Sequence, residues 1–229
     1  MARRFRDRRD AGRALAAALG TRVDPPVLGP DALVLGLPRG GVPVAAEVAT
    51  GLGAPLDVFV VRKLGVPGHE ELAMGAVAGG GITVRNEGVI AAAGIDEAAF
   101  RAVEERERIE VERRERRYRG GRVAPVLAGV TVVLVDDGLA TGSTMRAAIE
   151  AARRATAAAV VVAVPTGAPR TCAELGALLE GLVCLAAPRG FYAVGQAYDD
   201  FSPTRDEEVE QILARRDPQG RLPPPARAP

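Results

Sequence analysis

Apolar residues in this chain fall into short continuous runs, and between them lie turn residues and stretches where polar and apolar positions alternate with helical spacing. Phe5 to Leu19 sets Ala, Leu and Gly on one face and Arg and Asp on the other, which predicts an amphipathic helix packed on the segments after it. After Pro and Gly punctuation from Asp24 to Pro30, Ala32 to Leu37 reads as a strand, Pro38 to Gly41 as a glycine-rich turn, and Val42 to Leu52 as a helix. Leu56 to Val61 is a second apolar run; being continuous, it predicts a strand buried on both faces of a parallel sheet. Val130 to Val135 is a β-branched run, DDGLATGST a polar turn, and Met145 to Arg154 a helix. Ala158 to Val164 and Leu182 to Ala186 read as strands around a helix over Pro169 to Glu180. Phe191 to Tyr198 and a last helix, Asp206 to Arg215, complete the pattern.

Two stretches break the alternation. Gly65 to Gly81 is glycine-rich with little periodicity, which predicts a long loop of the kind that serves as a lid. Ile95 to Arg119 is a charged helix, and from Asp96 to Arg119 it carries eight acidic and eight basic residues. Opposite charges three and four apart support such a helix by roughly 0.2–0.5 kcal/mol per pair. With Glu beside every Arg cluster, this helix offers solvent or a second copy of the chain a surface, and gives nucleic acid little to hold. Strands alternating with helices predict an α/β fold, a Rossmann-like doubly wound parallel sheet, over residues 1–216. The lid or hood insertion, about 65–122, contains the long charged helix. Asp217 to Pro229, with five prolines, reads as a disordered tail.

Composition narrows the function. A formal net charge of +1 over 229 residues points neither to nucleic acid nor to an anionic membrane, so an anion site must be local. No run of about 18 apolar residues appears, and the basic start lacks an apolar stretch ending in a cleavage site, so a cytoplasmic protein is expected. Cys172 and Cys184 make no disulfide framework and lack metal-ligand spacing. Of 30 basic residues only Lys63 is a lysine, and it closes the second apolar run.

Ligands of open parallel sheets bind at the carboxyl ends of the strands. Three turns there carry unusual residues: Pro38 to Gly41, Arg62 with Lys63, and Asp136 to Thr144. In the last, Thr141, Gly142, Ser143 and Thr144 open a helix whose unpaired N–H groups and hydroxyls suit a phosphate. Asp136 and Asp137 just upstream can accept from sugar hydroxyls or hold water around Mg2+. A lone TGST turn reads equally as a helix cap beside solvated acids. Neither a Walker A loop nor G-x-G-x-x-G is present.

The thirteen residues VVLVDDGLATGST, Val132 to Thr144, resemble the signature of type I phosphoribosyltransferases that binds 5-phosphoribosyl-1-diphosphate (PRPP). The resemblance implies ribose-hydroxyl and Mg2+ roles for Asp136 and Asp137, and a 5-phosphate cradle at Ala140, Thr141, Gly142, Ser143 and Thr144. GLPRGG resembles the family's diphosphate loop, which gives that role to Arg39, Gly40 and Gly41, with Lys63 beside the leaving diphosphate as a catalytic cation. FYAVGQAYDDF, Phe191 to Phe201, resembles the base-binding segment of hypoxanthine-guanine phosphoribosyltransferase, implying that Tyr192 and Val194 hold the base and Asp199 a metal. Ala140 stands where those enzymes carry an acid for a 6-oxopurine, and ATG resembles the adenine and uracil enzymes instead. His69, Glu70 and Glu71 in the expected lid are further candidates. RGG, VRK and LAMGAV, at Arg39, Arg62 and Leu72, extend the likeness to a bacterial group of predicted phosphoribosyltransferases over Phe5 to Leu213. What it implies is transfer of a ribosyl phosphate to a small nitrogenous acceptor with Mg2+ as cofactor, and the alternative is a PRPP sensor that performs no transfer. A homodimer through the long helix fits either.

Overall fold

In the computed structural model, residues 4–23, Leu28 and 32–216 are described. In chain order the elements are α1 (Arg8–Arg22), β1 (Leu33–Gly36), α2 (Gly41–Leu52), β2 (Leu56–Val58), β3 (Val61–Val66), β4 (His69–Ala78) and β5 (Ile82–Arg85). There follow α3 (Glu87–Ala92), α4 (Glu97–Arg119), β6 (Thr131–Val135), α5 (Ser143–Arg154), β7 (Ala159–Thr166), α6 (Pro169–Gly176), β8 (Gly181–Ala186) and α7 (Asp206–Ala214). The tail Asp217–Pro229 and the Asp24–Pro30 punctuation, Leu28 apart, lie outside the described residues.

Five parallel strands make the central sheet in the order β2-β1-β6-β7-β8. Alternate residues go to opposite faces, as the pleat demands. Val34, Val133, Val135, Val161 and Ala163 join Leu15 and Leu19 of α1 and Val209 and Leu213 of α7. Leu35, Val132, Leu134, Val160 and Val162 join Met145, Ala148 and Ile149 of α5 and Leu175 of α6. Burial on both faces is why the inner strands β1, β6 and β7 are almost wholly apolar, each large side chain contributing about 1.5–3 kcal/mol. The expected α/β parallel sheet is what the chain forms.

The expected lid loop, Gly65 to Gly81, is instead mostly strand. β3 and β4 form an antiparallel hairpin and β5 adds to β4, making a second, three-stranded sheet. Leu64, Val66, Met74, Ala76 and Val77 are buried in it. Its glycines are contact points: a Cβ on Gly75 would stand 2.4 Å from the Val84 carbonyl oxygen, and one on Gly65 2.7 Å from that of Glu70. The run Leu56–Val61, expected as one strand, divides between the two sheets, and Lys63 lies within β3 rather than after a strand. Phe191–Tyr198 is irregular apart from one 3₁₀ turn, Val194–Ala197.

The stripe of α4 made by Phe100, Val103, Val111 and Tyr118 is buried inside this chain, where α4 packs on β3, β4 and α7. No helix among the described residues is long and apolar enough to cross a membrane.

Candidate active site

The strand order reverses between β1 and β6: α2 leaves β1 across one face of the sheet, and α5 leaves β6 across the other. Such a switch point opens a crevice at the carboxyl ends of the two strands. Here it is bounded by Leu37–Gly41 and Asp136–Ser143, two of the three turns with unusual residues.

These two turns touch. A Cβ on Gly40 would lie 2.0 Å from Asp137 Oδ2, and one on Gly41 would lie 2.6 Å from the Val135 carbonyl oxygen and 2.9 Å from Asp136 Cα. The glycines therefore let the first loop close on the acidic pair. The Gly41 N–H is already given to the Leu37 carbonyl at 3.0 Å, so an anion at this loop would meet Gly40 and Arg39 instead. The Pro38–Arg39 peptide is cis. Arg39 is half exposed and reaches Asp206 of α7 at 3.8 Å.

Beyond the acids, Gly142 is left-handed (φ 75°) and turns the chain into α5; it has no side chain to cap the helix, and only the Ser143 N–H meets a hydroxyl, Thr141 Oγ1 at 3.4 Å. The next N–H groups of that turn have no side-chain acceptor among the described residues and lie beside the exposed Ala140, Thr141 and Thr144. Thr141 Oγ1 lies 3.1 Å from Ser143 Oγ. From behind, Thr171 Oγ1 donates to the Ala140 carbonyl at 2.8 Å and its methyl fills the space a Gly142 Cβ would take. The cradle is a braced loop at a helix N-terminus, an arrangement suited to a phosphate.

Asp136 Oδ1 accepts from the Asp137 N–H at 2.8 Å. Burial, and then the charge of Asp137, push the Asp136 carboxyl well above the ordinary range. Burial raises Asp137 as well, and the guanidinium of Arg8 partly offsets it. Arg8, unforeseen from the sequence, reaches Asp137 Oδ2 from α1 with Nε at 2.9 Å and Nη2 at 2.8 Å. Its Nη1 donates to the Ser202 carbonyl at 2.7 Å, and its plane lies 4.1 Å from the centre of the Phe201 ring. Tyr198 O–H donates to the Asp137 carbonyl at 2.6 Å. One signal was present: a cation at the first position of a helix opposes the helix dipole and needs a reason to be there.

The remaining candidates divide. Val194 packs on the acidic turn, where a Cβ on Gly138 would strike it at 2.3 Å, whereas Tyr192 stands 83% exposed. Asp199 is ion-paired to Arg4 at 2.9 Å and 60% exposed. Asp136, Asp137 and Asp199 do not gather on one point, and no three His, Cys, Asp or Glu side chains do so among the described residues. The adjacent acids do supply the hard oxygens that Mg2+ takes, and they suit an ion that keeps its waters and shares a ligand's oxygens better than a closed protein cage. Arg62 and Leu64 of β3 face α4, through Glu107 and the core, so alternation puts Lys63 on the side of Val61 and α5. The Lys63 side chain makes no hydrogen bond or ion pair among the described residues, while its backbone lies in the ladder opposite Ala76. His69, Glu70 and Glu71 are exposed near the tip of the hairpin.

Comparison with known proteins bears on the family and the fold. The pattern of the phosphoribosyl transferase domain matches residues 29–174. Two Mycobacterium tuberculosis proteins, from strains CDC 1551 and H37Rv and provisionally named phosphoribosyl transferases, are each 49% identical over 211 residues. The match takes in 92% of this chain but 46% of theirs, so the chain spans about half the length of these relatives. The crystal structure of TT1426 from Thermus thermophilus superposes with a TM-score of 0.81 at 45% identity, covering 92% of this chain and 97% of that one. With the domain pattern covering both loops of the crevice, the chain belongs to the type I phosphoribosyltransferase family.

Proposed function

We propose that the chain binds PRPP with Mg2+ in the crevice between β1 and β6 and transfers its ribosyl 5-phosphate to a small nitrogenous base, releasing diphosphate. One observation carries the reading: two adjacent aspartates lie between a glycine loop pressed against them and a helix N-terminus whose cap residue is a glycine. Residues 140–144 hold the 5-phosphate through N–H groups and hydroxyls, and Asp136 and Asp137 accept from the ribose hydroxyls. Gly40 N–H, Arg39 and Lys63 face the diphosphate. Mg2+ bound with the diphosphate would neutralise part of its charge. As the bond from C1 to the diphosphate oxygen breaks, positive charge spreads over C1 and the ring oxygen, and the acceptor nitrogen forms the new bond. Positioning and electrostatic stabilisation then supply most of the rate. Val194 and Tyr192 offer the wall nearest the acceptor, and the hairpin tip, residues 67–73, serves to exclude water.

A PRPP sensor is the second reading, favoured by Ala140, which is exposed and handles no proton. Calorimetric titration of PRPP with and without Mg2+ tests the binding. Wild type is expected to bind only with Mg2+, and Asp136→Asn/Asp137→Asn to lose at least tenfold. No binding to wild type overturns the reading. Release of diphosphate with any base in a subsequent screen separates enzyme from sensor.

A further inference from the structure

The N-terminal segment is laced to the far end of the chain beside the acidic turn. Phe5 N–H donates to the Ala197 carbonyl and its own carbonyl accepts from Asp199 N–H, each at 2.8 Å. Asp200 N–H donates to the Arg6 carbonyl at 2.8 Å. This strap delivers Arg8 to Asp137. The resulting ion pair is nearly closed to solvent, its side chains 11% and 16% exposed.

Its geometry is one-sided. Both Arg8 contacts fall on Oδ2, in the gap left by the missing Cβ of Gly40, and no side chain among the described residues donates to Oδ1. A carboxylate whose one oxygen is locked by a planar fork has its other oxygen aimed, without further loss of side-chain freedom when a ligand arrives. Arg8 itself is immobilised by Ser202 and the Phe201 ring, so it cannot follow an outgoing group.

From this arrangement we infer that Arg8 is a positioning residue for the sugar. Holding Oδ2 of Asp137, it presents Oδ1 to a vicinal diol, and the N-terminal strap is a working part of the ribose subsite. The inference rests on the proposed PRPP site and adds to it a residue outside both recognised loops.

The test compares ribose 5-phosphate with its 2,3-dideoxy analogue by calorimetry, in wild type, Arg8→Ala and Arg8→Lys. Both ligands keep the phosphate that the α5 loop would hold, and only one has the diol. Wild type is expected to prefer ribose 5-phosphate by about 10- to 100-fold, the scale of one or two charge-assisted hydrogen bonds. Arg8→Ala should bring that preference below about threefold while binding of the dideoxy analogue holds. Arg8→Lys keeps the charge without the fork and should lose part of the preference; should Arg8→Ala not fold, this variant alone decides. An unchanged preference in the folded Arg8 variants, or equal weakening of both ligands, overturns the inference and leaves the PRPP site standing. A wild type that binds neither ligand nor PRPP overturns both.

Discussion

Gly40 and Gly20 differ only in what surrounds them. At Gly40 a methyl would strike Asp137 Oδ2, which Arg8 prevents from swinging aside. Gly40→Ala is therefore expected to cost about 1–3 kcal/mol, read from the denaturation midpoint, and to lower PRPP affinity at least tenfold. Gly20 lies within α1 with nothing near its absent Cβ, so Gly20→Ala should instead stabilise by about 0.4–1 kcal/mol. Composition cannot tell the two glycines apart; their neighbours do. Asp136, Asp137 and the 140–144 loop were legible because the whole cradle is one consecutive run on a strand, a turn and a helix. Arg8 was not, since its partner lies 129 positions away and its own surroundings read as the polar face of a helix.

For elements, legibility followed burial. Strands of the central sheet are covered on both faces and announced themselves as apolar runs. The β3–β4 hairpin did not, because its glycines were read as flexibility when they mark close backbone approach. β2, only three residues long, is anchored by charge: Asp57 Oδ1 meets Arg119 Nε at 3.1 Å and Oδ2 meets Arg216 Nη1 at 2.9 Å, all three side chains under 10% exposed. Asp57→Ala leaves two buried guanidinium groups without that carboxylate and should cost about 3–5 kcal/mol in urea denaturation. On α4 the Arg113 and Arg114 guanidinium groups hold Glu110 down to about 2. A depressed carboxyl contributes stability above its unfolded value and loses it as pH falls toward the folded one. Glu110→Gln should thus flatten the acid limb of stability between about pH 4.5 and 2 by no more than about 1 kcal/mol, the pairs lying at the surface and partly exposed to solvent.

Over the whole molecule, the sheet order places the crevice, and the two loops that line it come from strands adjacent in space but nearly 100 residues apart in sequence. Alternating strands and helices made the architecture readable, whereas the strap beside the acidic turn was not, because its pairing depends on backbone groups that any sequence possesses. Amide hydrogen exchange should detect it: deleting residues 1–7 is expected to expose the Asp199 and Asp200 amides, with those of β6 and β7 still protected.

That strap also sets an order of events during synthesis. Residues 4–8 leave the ribosome well before residues 201–202, yet the carbonyl and ring that hold Arg8 belong to Ser202 and Phe201. At about 5–20 residues per second, synthesis from Thr144 to Ser202 takes roughly 3–12 seconds, during which both cradle loops are translated and the bridge to Asp137 is not yet held. On the proposed site, the phosphate loop would thus be made before the contact that aims Asp137 at a sugar can close.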